Sequence, residues 1–220
     1  MNKETVAVII PAYNEAKTIG DVVRVAVSSQ LIDEVIVVSD GSTDETVEVA
    51  THAGARVIDL QENQGKGGAM IKGIEQTRAS IIVFLDADLI GLTERHLEQL
   101  VRPVLDRTCS MRVGIRDRGR FFTALTHWFP LISGERAVRR EVVDAIPHTF
   151  YCGFMIESAF NYYCKTHGLQ YDSVDLKGLS IRRKYEKVGW PKAVVQYLTM
   201  TGQILASLIR VRFAKFIGKF

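Results

Sequence analysis

The sequence predicts an α/β fold built on a mostly parallel, Rossmann-like sheet flanked by helices, and three observations predict it. Three short β-branched runs, Val6 to Ile10, Val35 to Val38 and Ile81 to Leu85, are too short for helices and too uniformly apolar for half-exposed strands. They read as buried parallel strands. Helical patterns lie between the strand patterns at a repeat of roughly 20 to 25 residues, the alternation that builds right-handed βαβ units. The segment after each strand is polar, small or charged, as ligand-facing loops of such sheets are.

The elements follow in order. The first strand stops at Pro11. Thr18 to Ser28 places Ile19, Val22, Val23 and Ala26 on one face of a helix, and Asp44 to Ala53 opens with acidic residues that suit a helix N-terminus. Arg56 to Leu60 is a further strand, and a helix from about Gly68 to Thr77 leads into Ile81 to Leu85. Beyond Gly91 come a helix over Thr93 to Leu105, an arginine-rich stretch (Arg112, Arg116, Arg118, Arg120), aromatic segments and a helical pattern around Met155 to Thr166. This half carries fewer strand signals and reads as the part that completes a cleft.

Composition bounds the alternatives. The 220 residues are 47% hydrophobic and 24% charged, enough for one packed core and too few for two ordinary domains, with none of the bias of disorder or repeats. The expected division is one catalytic domain over residues 1–190 and a tail over 191–220. Cys109, Cys152 and Cys164 are odd in number and lack a Cys-x-x-Cys pair, so they read as reduced thiols. The start, Met1 to Thr5, runs straight into a strand without a secretory signal pattern, giving a cytoplasmic expectation. The net charge of +3 is unevenly spread: after Glu186 there are no acidic residues, leaving +6 in the tail and −3 in the body. An acidic body without nucleic-acid motifs argues against nucleic-acid partners.

The tail has two parts. Ala193 to Ile209 is uncharged for 17 residues but interrupted by Gln196, Thr199, Thr201, Gly202 and Gln203, short and polar beside the ~20 apolar residues of a spanning helix. After it, Leu208, Ile209, Val211, Phe213, Phe216, Ile217 and Phe220 interleave with Arg210, Arg212, Lys215 and Lys219. Such a basic amphipathic helix either lies on the inner face of an anionic membrane, as a peripheral contact, or packs on a second copy in a homodimer.

Chemistry concentrates in the loops. The first strand is not followed by G-x-G-x-x-G, and the chain has no P-loop, which removes the two commonest nucleotide folds. Nor is there the G-x-G-T-R-like loop of a nucleotidyltransferase. Asp86 and Asp88 leave the strand Ile81 to Leu85 with only Ala87 between them, where two carboxylates can approach one hard cation, Mg²⁺ or Mn²⁺. Asp40 ends the second strand, placed to accept from a base N–H or a ribose hydroxyl, while Ser42, Thr43 and Asp44 read equally as a helix cap. Lys66, among Gly65, Gly67 and Gly68 just before a helix, combines a cation with unshielded backbone, a setting for an anion. The arginines Arg112 to Arg120 with Arg136, Arg139 and Arg140 read either as a site for an anionic acceptor or as a solvated basic face.

Together, Pro11-Ala12-Tyr13-Asn14-Glu15, Ser39-Asp40-Gly41-Ser42-Thr43-Asp44, Asn63-Gln64-Gly65-Lys66-Gly67 and Leu85-Asp86-Ala87-Asp88 resemble family-2-type glycosyltransferases of the GT-A fold over about residues 5 to 90. The later segments Gly119 to Thr123, Ser133 to Arg136, Arg139 to Glu141 and Phe154 to Glu157 are similar to the glucosyl-3-phosphoglycerate synthase group and, more distantly, to dolichol-phosphate mannosyltransferases. The resemblance implies a nucleotide-sugar donor, a UDP-sugar, held by Pro11, Ala12, Tyr13, Asn14, Glu15, Asp40, Ser42, Lys66, Asp86 and Ala87, with the metal on Asp86 and Asp88. It implies an anionic acceptor, a phosphorylated small molecule or a lipid phosphate, near Arg120, Thr123 and Gly134. Asp88, Glu157 and Arg182 are the catalytic candidates. A carboxylate base, Glu157 or Glu135, is needed if a hydroxyl attacks with inversion and is not needed for an ionised phosphate. Two departures stand out. Ser39 occupies a position where many relatives have a second aspartate. The late stretch Gly178 to Lys184 offers Arg182 and Arg183 where the synthases have a metal-binding histidine, and either guanidinium suits the diphosphate. A sugar-nucleotide-binding protein without transferase chemistry is the competing reading.

Overall fold

The structure, a computed structural model, describes residues 3–116, 133–151 and 155–181. Its centre is a seven-stranded sheet. In chain order the strands are β1 (Val6–Ala12), β2 (Glu34–Asp40), β3 (Arg56–Leu60), β4 (Ile81–Phe84), β6 (Met111–Arg116), β7 (Arg136–Arg139) and β8 (Tyr171–Leu176), arranged β3-β2-β1-β4-β7-β6-β8. All neighbours are parallel except for β7, which runs antiparallel to both β4 and β6. A two-stranded ribbon pairs β5 (Leu89–Ile90) with β9 (Ser180–Ile181). The helices are α1 (Ile19–Ser28), α2 (Thr46–His52), α3 (Gly65–Glu75), α4 (Glu94–Leu105), α5 (Arg140–Ala145) and α6 (Met155–Thr166). The expected α/β fold on a mostly parallel sheet is borne out.

Alternation explains why the central strands lack polar residues. On β1, Val6, Val8 and Ile10 join one core with Ile19, Val22 and Val23 of α1 and Leu97 and Leu100 of α4. Ala7 and Ile9 point the other way, into a second core with Met70 of α3, Val142 of α5 and Phe160 of α6. Both faces are covered, so both sets must be apolar. Gly73 lets α3 approach β1: a β-carbon there would lie 2.5 Å from Cγ2 of Ile9.

The second half holds more strands than its sequence signals suggest. Arg112, Arg116, Arg136 and Arg139 interrupt the apolar character of β6 and β7, yet each finds a partner inside the fold. Arg112 pairs with Asp172 of β8, Arg139 with Glu4 at 3.3 Å, and Arg140 donates to the carbonyls of Ala79 and Thr77 at 3.0 and 2.9 Å. Arg112, Arg139 and Arg140 are thus engaged by partners of the fold itself. Arg118 and Arg120 lie outside the described residues. Two helix starts also differ from expectation. α3 begins at Gly65, because Asp40 and Asn63 accept from the N–H groups of Gln64 and Gly65 at 2.7 and 3.1 Å and set up its first turn. α2 begins at Thr46, with Asp44 accepting from the Thr46 N–H at 3.1 Å.

Candidate functional site

The parallel register brings the carboxyl ends of four strands, β1 to β4, to one rim. Ala12 lies opposite Ser39, Asp40 opposite Leu60, and Ile9 opposite Phe84. Because β7 is antiparallel, it contributes its amino end there: Arg136 pairs with Phe84 and with Val113, so Ser133, Gly134 and Glu135 reach the rim from one side and Arg116 from the other.

The first two loops lock each other. Asn14, at φ 55°, donates from its backbone to Ser42 Oγ at 3.1 Å, and its side chain accepts from the Thr43 N–H at 2.8 Å. The Glu15 and Ala16 N–H groups donate to Thr46 Oγ1 and Asp44 at 2.8 and 3.2 Å. Much of this pair of motifs therefore builds a rigid wall. Tyr13 is half exposed beside it, and Pro11 and Ala12 close β1. Asp40 is buried, with Oδ1 taken by Gln64, so it braces the loop that carries Lys66. Gly41, at φ 71°, is needed there, since a β-carbon would press on the backbone of Asn63 at 3.0 Å.

At the centre, Lys66 in the first turn of α3 donates to Asp86 Oδ1 at 2.7 Å and lies 3.7 Å from Glu157 Oε1 at the start of α6. Arg116 donates to Asp86 Oδ2 at 3.2 Å and faces Glu135 Oε2 at 3.4 Å. Ser133 Oγ donates to that same Glu135 oxygen at 2.6 Å. Gly134 packs directly on Asp86, so Gly134 belongs to the wall of the carboxylate cluster. Ala87 is buried and Asp88 half-buried, with Asp88 acting electrostatically on Arg116.

The electrostatics are strong because Asp86, Arg116, Glu135 and Glu157 are shielded from water, while Lys66 stays partly exposed at the mouth of the cluster. Burial would raise the Asp86 carboxyl, but the Lys66 ammonium and the Arg116 guanidinium outweigh it and hold it at about 2. Burial likewise opposes the charge on Lys66 and Arg116, and the surrounding carboxylates push both above their ordinary values. Glu135, fully buried and beside Asp86, is pushed up by desolvation first and by that neighbour second. Two buried oxygens, Glu135 Oε1 and Glu157 Oε2, have no hydrogen-bond partner. Buried carboxylate oxygens left unpaired are costly and mark a place where a cation or donor belongs. The donor set is all oxygen, which fits a hard divalent ion that keeps water or phosphate as its other ligands. Among the described residues, no three His, Cys, Asp or Glu side chains are grouped so as to hold a metal by themselves.

The structure thus brings Asp40, Lys66, Asp86, Asp88, Gly134 and Glu157 to one rim. Arg182, Arg120 and Thr123 lie outside the described residues, as do Cys152 and the 191–220 tail. The described chain stops at Ile181, which pairs with Leu89, the residue after Asp88. No helix among the described residues is long and apolar enough to cross a membrane. Arg116 as the second cation on Asp86 is what sequence reasoning missed; the alternation of Met111, Val113 and Ile115 with Arg112, Gly114 and Arg116 was the available signal of a strand ending at the rim.

Residues 7–161 match the model of the family described as glycosyl transferase family 2. A glucosyl-3-phosphoglycerate synthase of Mycolicibacterium smegmatis is 38% identical over 114 residues, which is 48% of this chain and 37% of that protein. A 4,4'-diaponeurosporenoate glycosyltransferase of Staphylococcus aureus is 37% identical over 105 residues, 46% of this chain and 28% of that protein. The alignments thus span well under half of those relatives. Among solved structures, glucosyl-3-phosphoglycerate synthase of Mycobacterium tuberculosis with phosphoglyceric acid superposes with a TM-score of 0.77 at 27% identity, covering 94% of this chain and 80% of that one. The same enzyme with Mn²⁺, UDP-glucose and phosphoglyceric acid gives 0.76 at 27% identity, covering 94% and 79%.

Proposed function

The chain belongs to glycosyl transferase family 2, and from that premise we propose that it moves a sugar from a nucleoside diphosphate sugar, a UDP-sugar by preference, to an anionic acceptor with Mg²⁺ or Mn²⁺ on Asp86 and Asp88. One observation carries the reading: Lys66 at the start of α3 and the Asp86/Asp88 pair at the end of β4 meet beyond the carboxyl ends of parallel strands. The Mn²⁺ and UDP-glucose bound by the synthase support it, as does the phosphoglyceric acid for the acceptor class.

The chemistry needs charge to develop on a leaving diphosphate while the sugar becomes cationic. A divalent ion bound by Asp86 and Asp88 would neutralise part of that charge. Lys66 supplies a fixed ammonium whose present partner, Asp86, it shares with Arg116, so the diphosphate can take one cation without leaving Asp86 unpaired. Asp40, Asn14, Glu15 and Ser42 form the nucleoside side of the rim, and Arg182 would close on the phosphates. Glu157, whose Oε1 lies 3.7 Å from the Lys66 ammonium, is the base for an acceptor hydroxyl; a phosphate acceptor needs no base.

UDP release across a set of UDP-sugars, with and without Mn²⁺, tests the reading. Turnover is expected to require the metal and to fall by about 100-fold or more in Asp88→Ala. Metal-independent turnover, or a fully active variant, overturns it. Label from the sugar appearing in organic extracts of added membranes marks a lipid phosphate acceptor, and label in the aqueous phase a phosphorylated small molecule.

A further inference from the structure

Arg136 is the largest fully buried side chain described, at 1% exposure. It opens β7 between Phe84 and Val113, on the same sheet face as the core of Met111, Phe84 and Phe160. A guanidinium in such a place is costly unless every donor is used and opposite charge stands near. Its donors do not go to a carboxylate. One nitrogen donates to the carbonyl of Ser133, and another to the carbonyl of Glu157 at 3.4 Å, with Met111 Sδ at 3.9 Å. The flat group lies 5.6 Å from the centre of the Phe160 ring.

Those two carbonyls belong to the segments that deliver the carboxylates of the rim. Ser133 begins the turn that presses Gly134 on Asp86 and presents Glu135, and Glu157 carries the carboxylate facing Lys66. The two carbonyls are 24 residues apart in sequence and come from different segments, so a single planar fork ties them together from below. The Glu157 and Glu135 carboxylates also offset part of the cost of its burial. We propose that Arg136 is a positioning residue: by bonding the main chain at Ser133 and Glu157, it fixes the separation of Glu135 and Glu157 and thereby the cluster around Asp86 and Lys66. The inference rests on the transferase reading for its kinetic consequence, but not for its structural one.

Arg136→Lys keeps the charge and loses the fork; Arg136→Met keeps the bulk and loses both. With the full chain, kcat for UDP release is expected to fall by about 10- to 100-fold in each variant, the loss usual when catalytic groups are oriented from behind. Uridine affinity measured without metal should stay within about threefold, since Asp40 and the Asn14 wall do not touch Arg136. Amide hydrogen exchange in peptides covering 133–136 and 155–159 should rise by about tenfold or more in both, with β1 and β2 unchanged. A folded variant with kcat within about threefold of the parent overturns the proposal, and so does unchanged exchange at the two segments. Failure of both variants to fold also overturns it, because the arginine then holds the core rather than the rim. If the parent itself releases no UDP from any sugar nucleotide, the transferase reading fails, while the exchange measurement still decides the role of Arg136.

Discussion

Gly134 is where a single hydrogen atom in place of a side chain decides the geometry of the cluster. A β-carbon on it would lie 2.6 and 2.7 Å from the two Asp86 oxygens, and its backbone does not occupy the left-handed region that only glycine favours. Gly134→Ala is therefore expected to push Asp86 from Lys66 and Arg116, at a cost of about 1–3 kcal/mol for a shielded carboxylate losing its donors, and to lower UDP-release kcat by about 10-fold or more. Thermal melting beside turnover checks it, and an unchanged kcat overturns it. Glu4 makes a different residue-scale prediction. The Ser80 hydroxyl, then Arg107 and Arg139, hold its carboxyl at about 2, against an ordinary value of 4.5. A lowered folded value means stabilisation present above the unfolded value and lost as pH falls through the folded one. Glu4→Gln should cost about 1 kcal/mol at pH 7, allowing for solvent screening. That difference should shrink steadily between pH 4.5 and about 2, as read from urea unfolding at several pH values.

At the scale of elements, α3 matters most, because its first turn carries Lys66 and its body rests on β1. Gly73 sits where any β-carbon meets Ile9 at 2.5 Å and Val38 at 3.3 Å, within the apolar centre of the sheet. Gly73→Ala should overpack that contact and cost about 1–3 kcal/mol in urea unfolding, and the displaced helix should lower turnover as well. The same helix illustrates what was legible in the sequence. The strands β1, β2 and β4 were legible because both sheet faces are covered and the runs are uniformly apolar. The loop motifs were legible as a set, yet much of their content is mutual bracing: Asn14 with Ser42 and Thr43, and Asp40 with Gln64. Spacing alone does not separate a side chain that holds a loop from one that holds a ligand. β6 and β7 were hidden because Arg112, Arg116, Arg136 and Arg139 interrupt their apolar runs, and the partners of Arg112, Arg116 and Arg139, which are Asp172 on β8, Asp86 after β4 and Glu4 before β1, come from distant parts of the chain.

For the whole molecule, the distribution of cations constrains where an anionic acceptor can be read. Of the described arginines on β6, β7 and α5, Arg112, Arg139 and Arg140 are tied to structural partners away from the rim, and Arg136 is buried beneath it. Only Arg116 among them stands at the rim, already engaged by Asp86 and Glu135. The chain leaves the described body at Arg116 and re-enters it at Ser133, and both residues touch the carboxylate cluster. Arg116 and Ser133 flank the 117–132 segment in sequence, and that segment carries Arg120 and Thr123. If these residues hold the acceptor, Arg120→Ala should raise the acceptor KM by about 10-fold or more, the cost of one charged hydrogen bond, when phosphoglyceric acid is the probe. Hydrolysis of the UDP-sugar without acceptor should be unchanged in the same variant, because the donor cluster of Lys66, Asp86 and Asp88 is built from other elements. An unchanged acceptor KM, or an equal fall in acceptor-free hydrolysis, would move acceptor recognition away from this segment and toward the basic residues beyond Ile181.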